Sequence, residues 1–386
     1  DNLSVYFTVD ESIDNDSFIV DLKIDNQSRK DLIELKKLNA NDGKSWEVLY
    51  RIRDNDTGKL EWDISASDPA GNTLVKDDNV TSVPALKFAV LGGGSWATAI
   101  VKMLCDNQEE VVWYMRNTDA IGFIKIQKHN PNYLTSVTFN TEKLHLTDDI
   151  NEAVSKADIL IFAIPSAFLH TELQKLTSSI REKIVFSAIK GIVPETGLIV
   201  GEHFHETYDI PFKNIGVITG PCHAEEVAME RLSYLTIACA DTSKAKFVAK
   251  NLSSSYIKTK VTKDIIGTEY AAMLKNIYAI AAGIAHGLGY GDNFQSVLMS
   301  NAIREMKRYT KSIHKIDRNI NDSAYLGDLL VTGYSTFSRN RMFGNMIGKG
   351  YTVKSAQMEM NMVAEGYYAA KSAYELKGKF EKKVKT

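Results

Sequence analysis

The chain has 386 residues, 44% of them hydrophobic and 24% charged, with a formal net charge of -2 at pH 7. At about 150 residues per domain this length predicts two to three domains with sizeable cores, and the composition is that of a soluble globular protein rather than a disordered or fibrous one. The near-neutral balance gives no general attraction to nucleic acid or anionic membranes and leaves room only for a small, specific basic site.

Cys105, Cys222 and Cys239 are odd in number and lack CxxC spacing. No disulfide framework or zinc site is predicted, and a reducing, cytoplasmic setting is expected. No apolar run approaches the roughly 18–20 residues that cross a bilayer, because even Tyr270 to Ile284 is interrupted by Lys275 and Asn276. The chain begins at Asp1 rather than Met, so a processed N-terminus, including a lost signal peptide, stays open.

Residues 1–85 alternate polar and apolar side chains in SVYFTVD, SFIVDLKID, WEVLYRIRD and EWDISAS. Period two predicts half-buried strands, and the breaks DNDTG and DPAGN predict hairpins in an antiparallel, sandwich-like leader. It has no His or Cys and no visible chemistry. At Pro84 the pattern changes: LKFAVL, VVWYM, ADILIFAIP, KIVFSAIKG and NIGVITGP are continuous apolar runs separated by stretches of helical period. Strands covered on both faces by helices look like this, so residues 86–264 are expected to form a Rossmann-like doubly wound parallel sheet. From 265 to 386 an all-helical domain is expected, with 265–286 as its central helix and amphipathic stretches at about 295–315 and 353–376. The Lys-rich end KGKFEKKVKT reads as a frayed tail.

Directly after LKFAVL stands Gly92-Gly93-Gly94-Ser95-Trp96-Ala97, a GxGxxA spacing. Gly92 permits the tight turn, Gly94 lets the backbone approach a pyrophosphate, and the small Ala97 allows close helix packing. The dinucleotide then sits on free helical N–H groups. Where an NAD site usually offers an acid to the ribose, this chain has Arg116-Asn117. The arginine either welcomes the 2′-phosphate of NADP or is merely solvated. Lys275 lies beside a stripe of small residues, Ala272, Ala279 and Ala282. It is either a buried lysine tuned for proton transfer or one that snorkels to water. Asp328 to Thr332 precede Ser338-Arg339-Asn340-Arg341, either a phosphate clamp or a solvated basic loop. The histidines show no metal spacing, His203 and His205 read as surface residues, and Cys222-His223 is not a nucleophile–base pair by adjacency alone.

In order along the chain, AVLGGGSWATA, NPNYL, ADILIFAIPS, SAIKGI, ITGPCHAEEVA, GTEYAAMLKNIYAIAAGIAHGLGYGDN, LGDLLVT, SRNRMFG and VAEG resemble the bacterial NAD(P)-dependent glycerol-3-phosphate dehydrogenase family, from Leu86 to Thr386. The resemblance implies hydride transfer between NAD(P)H and dihydroxyacetone phosphate to give sn-glycerol 3-phosphate, a phospholipid precursor, with no metal and a homodimeric assembly. It implies that Lys275 moves the proton at the carbinol oxygen, that Lys190 meets both cofactor and substrate, and that Asp328 orders the lysines. Ser95, Trp96, Tyr133, Pro165, Ala224, Val363 and Glu365 join Gly92, Gly94 and Arg116 as implied cofactor contacts. Gly220, Cys222, Asn276, Thr332, Ser338, Arg339 and Asn340 are implied substrate contacts, Arg339 lying near the cofactor too.

Two residues depart from the family pattern: Cys222 stands where Ser or Thr is usual, and Ala97 where glycine is. The leader is extra, and the family continues about one more helix pair past Thr386, so a fragment or fusion is expected. Dehydrogenases of β-hydroxyacids and ketopantoate-type reductases share this architecture, and a catalytically silent nucleotide-binding module remains a further alternative. Because every candidate residue lies beyond Leu86, removing residues 1–84 is expected to leave kcat and KM unchanged within about twofold, as domains with separate cores seldom share catalytic groups. Steady-state kinetics of the truncated chain check this.

Overall fold

The computed structural model describes residues 2–8, 19–24, 27–28, 33–37, 45–51, 58–65, 81–83, 86–360 and 364–380. The chain divides into two compact units, Asp1–Leu86 and Lys87–Thr386.

The first unit contains β1 (Asn2–Thr8), β2 (Ile19–Ile24), β3 (Gln27–Ser28), β4 (Ile33–Lys37), β5 (Ser45–Arg51), β6 (Gly58–Ser65) and β7 (Thr81–Val83). They pair antiparallel in two sheets, β1-β5-β4 and β3-β2-β6-β7. The DNDTG break, of which Asp54 to Thr57 lie outside the described residues, does not close the expected hairpin. It joins β5 to β6, which belong to different sheets. Turn residues mark where the chain reverses, not which strand it then pairs with; β6 finds its long partner in β2, from Ile19↔Ser65 to Ile24↔Leu60. DPAGN lies outside the described residues.

In the second unit, β8 (Phe88–Leu91), β9 (Val111–Tyr114), β10 (Leu144–Thr147), β11 (Ile159–Phe162) and β12 (Ile184–Ser187) are followed by the small hairpin β13 (Ile192–Val193) and β14 (Leu198–Ile199). Then come β15 (Ile215–Thr219), β16 (Ser233–Cys239) and β17 (Ile257–Thr262). The connecting helices are α1 (Ser95–Cys105), α2 (Thr118–Gln127), α3 (Ile150–Ser155), α4 (Ser166–Leu173), α5 (Val200–Tyr208), α6 (Ala224–Ala228) and α7 (Thr242–Leu252).

Eight strands form one sheet of order β10-β9-β8-β11-β12-β15-β16-β17. The strands from β10 to β15 run parallel, and their order reverses between β8 and β11. Beyond the C-terminal ends of strands at such a reversal lies the crevice where open α/β sheets bind ligands. Every residue of β8, β9 and β11 is buried, which is why these strands are continuous apolar runs. The sheet is not wholly parallel as expected, because β16 pairs antiparallel with β15. The edge strands β10 and β17 carry half-exposed side chains, with Lys258 and Lys260 pointing outward, so no apolar run announced them.

The helical part comprises α8 (Ile265–Gly287), α9 (Asp292–Ile313), α10 (Asp328–Tyr334), α11 (Arg339–Gly348), α12 (Val353–Glu359) and α13 (Glu365–Phe380). Tyr270, Met273, Leu274 and Ala282 of α8 share a core with Met299 and Met306 of α9, Leu329 of α10, and Ile192 and Ile199 of the β13–β14 hairpin. Among the described residues no helix is long and apolar enough to cross a membrane. The stretch expected at 353–376 is not one helix but two, α12 and α13. The chain is pinned at the break, where Gly366 N–H donates to Asn340 Oδ1 at 2.9 Å. The Lys-rich end is helical to Phe380, and 381–386 lie outside the described residues. His203 is not on the surface as expected: it is fully buried on the inner face of α5 beside Phe204 and Tyr208.

Helices α8 and α11 meet backbone to backbone. A Cβ at Gly283 would run into the Arg341 carbonyl oxygen, and one at Gly344 into that of Ile280. Gly344→Ala is therefore expected to destabilise the protein by about 1–3 kcal/mol, the usual range for overpacking. A urea midpoint equal to wild type would contradict this contact.

Candidate active site

The turn after β8 is built around Gly92, whose φ of 139° lies where side chains rarely go. A Cβ there would strike the Ala163 carbonyl oxygen at the end of β11. Trp113 Nε1 donates to the Gly92 oxygen at 2.7 Å, and Asn130 Nδ2 donates to the Gly93 oxygen at 3.3 Å. Gly94 is the N-cap of α1, with no side-chain cap and no acid in the first turn, and a Cβ on it would meet nothing within 4 Å. The first N–H groups of α1 thus face an open space at the sheet's reversal point, which suits an anion.

Lys275 is 4% and Asp328 1% exposed. Lys275 Nζ donates to Asp328 Oδ1 at 2.5 Å and to Thr332 Oγ1 at 2.9 Å. The Thr332 hydroxyl in turn donates to the Asp328 carbonyl at 2.6 Å. A π-helical turn, Ser323–Gly327, leads directly into Asp328 at the start of α10. Burial is the largest influence on Lys275 and pushes it down to about 8, with Asp328 pulling it up and Lys190 pushing it further down. Next along α8, Asn276 Nδ2 donates to the Lys190 carbonyl at 3.1 Å. Lys190 Nζ lies 5.5 Å from the centre of the Trp96 ring.

The SRNR segment is not a loop but the start of α11, with Ser338 as its N-cap. Arg339 reaches back to the glycine turn, its Nη2 donating to Ser95 Oγ at 2.9 Å. Burial raises the Glu365 carboxyl, against the pull of Arg339, Lys190 and Lys275. Burial also pushes the Cys222 thiol up to about 12, so it stays a neutral group. His223 is pushed down to about 4, by burial first and then by Lys190 and Lys275. Its Nε2 is buried with no hydrogen-bond partner.

Two adjoining cavities hold these groups. One, of about 550 Å3, is walled by Gly92, Gly94, Ser95, Arg116, Tyr133 and Pro165. The other, of about 200 Å3, is walled by Trp96, Lys190, Cys222, Ala224, Lys275 and Asn276 together with Thr332, Ser338 and Asn340. Gly94, Ser95, Pro165, Arg339 and Glu365 line both. Asp328 stands behind Lys275 rather than on a wall. Gly220, at φ 119°, lines neither cavity and turns the chain toward Cys222. Val363 lies outside the described residues. His223, adjacent to Cys222 on the wall of the second cavity, was missed because adjacency in sequence does not show which way a ring faces.

Family models described as NAD-dependent glycerol-3-phosphate dehydrogenase N-terminus and C-terminus match residues 87–245 and 264–385. The chain is 36% identical over 291 residues to the glycerol-3-phosphate dehydrogenase (NAD(P)+) of an Exiguobacterium species, covering 75% of this chain and 85% of that one. It is also 36% identical over 302 residues to the enzyme of that name from Bacillus subtilis, covering 77% and 87%. The chain belongs to the NAD-dependent glycerol-3-phosphate dehydrogenase family. A solved glycerol-3-phosphate dehydrogenase from Coxiella burnetii superposes with a TM-score of 0.71 at 26% identity, over 78% of this chain and 91% of that one. Family membership decides against the β-hydroxyacid dehydrogenases and ketopantoate-type reductases that share this architecture.

The buried pair makes its own prediction. Asp328→Ala leaves Lys275 without its counter-ion and is expected to destabilise the protein by about 3–5 kcal/mol at neutral pH. Urea unfolding of the variant measures it, and an unchanged midpoint would mean that Lys275 is not charged in the folded protein.

Proposed function

We propose that the chain reduces dihydroxyacetone phosphate to sn-glycerol 3-phosphate, with NADH or NADPH in the larger cavity and the phosphorylated ketone in the smaller. The observation that carries this reading is a buried, carboxylate-paired lysine facing the cavity next to an uncapped glycine-turn helix. The glycine turn fits the cofactor's pyrophosphate, because Gly92 excludes a side chain and Gly94 leaves the backbone open. When bound, the cofactor supplies the hydride for the carbonyl carbon. On this reading residues 86–264 carry the dinucleotide and 265–386 the proton-transfer and phosphate groups.

Lys275 donates a proton to the carbonyl oxygen as the alcohol forms and is left neutral, to be reprotonated from solvent. Asp328 and Thr332 hold its ammonium in place. Arg339 and Lys190 take the phosphate, the planar guanidinium in a bidentate grip and the ammonium as a point charge. Asn276, Ser338 and Asn340 complete the polar wall, and Cys222 and His223 face the ligand as neutral groups. A cytoplasmic setting and a homodimer belong to the same proposal. Self-association is supported by the exposed Leu288, Tyr290, Phe294 and Val297 where α8 passes into α9.

The test is the pH profile. Reduction needs protonated Lys275, so kcat/KM for dihydroxyacetone phosphate should fall as pH rises through about 8. Oxidation of glycerol 3-phosphate needs the neutral amine and should rise over the same window. Asp328→Asn removes the carboxylate that pulls Lys275 up, so the falling limb should move to lower pH. Lys275→Met should lower turnover by about 10²–10⁴-fold. A Lys275→Met protein that keeps the wild-type rate and profile would refute the assignment.

A further inference from the structure

The choice between NADH and NADPH depends on what stands near the 2′ position of the adenosine ribose. In a sheet of this kind the acid that holds the ribose hydroxyls projects from the end of the strand after the glycine turn. Here that strand is β9, and it is followed by Met115-Arg116-Asn117, with no carboxylate among them. Asn117 is already engaged, its Oδ1 accepting from Ala120 N–H at 3.0 Å as the cap of α2. Arg116 is 59% exposed on the cavity wall, 5.6 Å from the centre of the Phe168 ring.

A carboxylate is nevertheless present, delivered from α4 on the other side of the sheet's reversal point. Glu172 is 1% exposed, and its Oε1 lies 3.3 Å from Arg116 Nη1. Its Oε2 accepts from the Tyr114 hydroxyl at 2.6 Å and lies 3.0 Å from Lys175 Nζ. Burial opposes its charge, but Tyr114, Lys175 and Arg116 together hold the carboxyl below its ordinary range. Behind the Arg116 guanidinium the cavity therefore has a buried carboxylate, shared with Lys175.

Resting on the reading that this cavity takes a nicotinamide dinucleotide, we infer that Glu172 is a positioning residue that acts through Arg116 to set the cofactor choice toward NADH. A 2′-phosphate brings about two negative charges at neutral pH. To grip it with both amino groups, Arg116 gives up contact with Glu172, and the phosphate then stands near a buried carboxylate. A ribose with a free 2′-hydroxyl requires neither change.

Glu172→Gln keeps the size of the side chain and an acceptor for the Tyr114 hydroxyl while removing the charge. It should raise the NADPH-to-NADH ratio of kcat/KM at least tenfold, through a lower KM for NADPH. Displacement of NADH followed by its fluorescence gives a readout without turnover. Adenosine 2′,5′-bisphosphate should compete about tenfold better against the variant than against wild type, relative to 5′-AMP. In an Arg116→Ala background Glu172→Gln should raise the ratio much less, since only direct repulsion is left to remove, and a merely structural role would not produce that dependence. Glu172→Asp, a second variant should Gln fold poorly, withdraws the carboxylate from Arg116 and should raise the ratio by less. An unchanged or lowered ratio, with both adenosine nucleotides still binding, overturns the role of Glu172 alone. Failure of wild type to bind either nucleotide overturns the dinucleotide reading, and this inference with it.

Discussion

A lysine ammonium removed from water keeps its proton only while a carboxylate stands beside it, and the helical half of this protein is arranged around that requirement. Lys275 sits midway along α8, buried on nearly every side, and Asp328 arrives at it from a different helix. Neither can shift without leaving the other's charge uncompensated in a dry interior. Hence α8 and α10 are fixed in register, and Thr332, one turn beyond Asp328, is fixed with them. A π-helical turn leads directly into α10 ahead of Asp328.

The second constraint is steric. Gly283 and Gly287 on α8 face Gly344 and Gly348 on α11, and each would place a Cβ against a carbonyl or Cα of the opposite helix. This close crossing sets where α11 begins, and α11 begins with Arg339. From there the guanidinium reaches Ser95 on the first turn of α1. The charge pair thus fixes Lys275, the lysine of the proposed proton transfer, and the glycine contact fixes Arg339 on the wall of the same cavity.

Legibility in the sequence followed burial. Strands β8, β9 and β11 are buried on both faces and could be read as apolar runs. The short, half-exposed edge strands β10 and β17 form no apolar run and could not. The glycine turn was legible because Gly92 must adopt a conformation that few residues tolerate, and α8 because it is apolar around most of its circumference. By contrast, GIAHG and GNMIG carry their four-residue glycine spacing openly, yet its meaning appears only when the two helices are brought together. The SRNR run was legible as charge but not as a helix start, since its N-cap bond is local and its reach to Ser95 is not. Glu172 gave no signal at all: nothing in the pattern of α4 tells that one of its acids ends up behind Arg116.

Arg339 and Glu365 belong to both cavities, and the hydrogen bond from Arg339 to Ser95 spans the boundary between them. A ligand in the small cavity that draws the guanidinium toward itself releases the Ser95 hydroxyl into the large one. A ligand that engages Ser95 in the large cavity frees the guanidinium for the small one. The two sites therefore share a free-energy term, and thermodynamic reciprocity requires it to be equal in both directions. A single hydrogen bond thus ties the two cavities together in the empty protein, by the same amount whichever ligand arrives first.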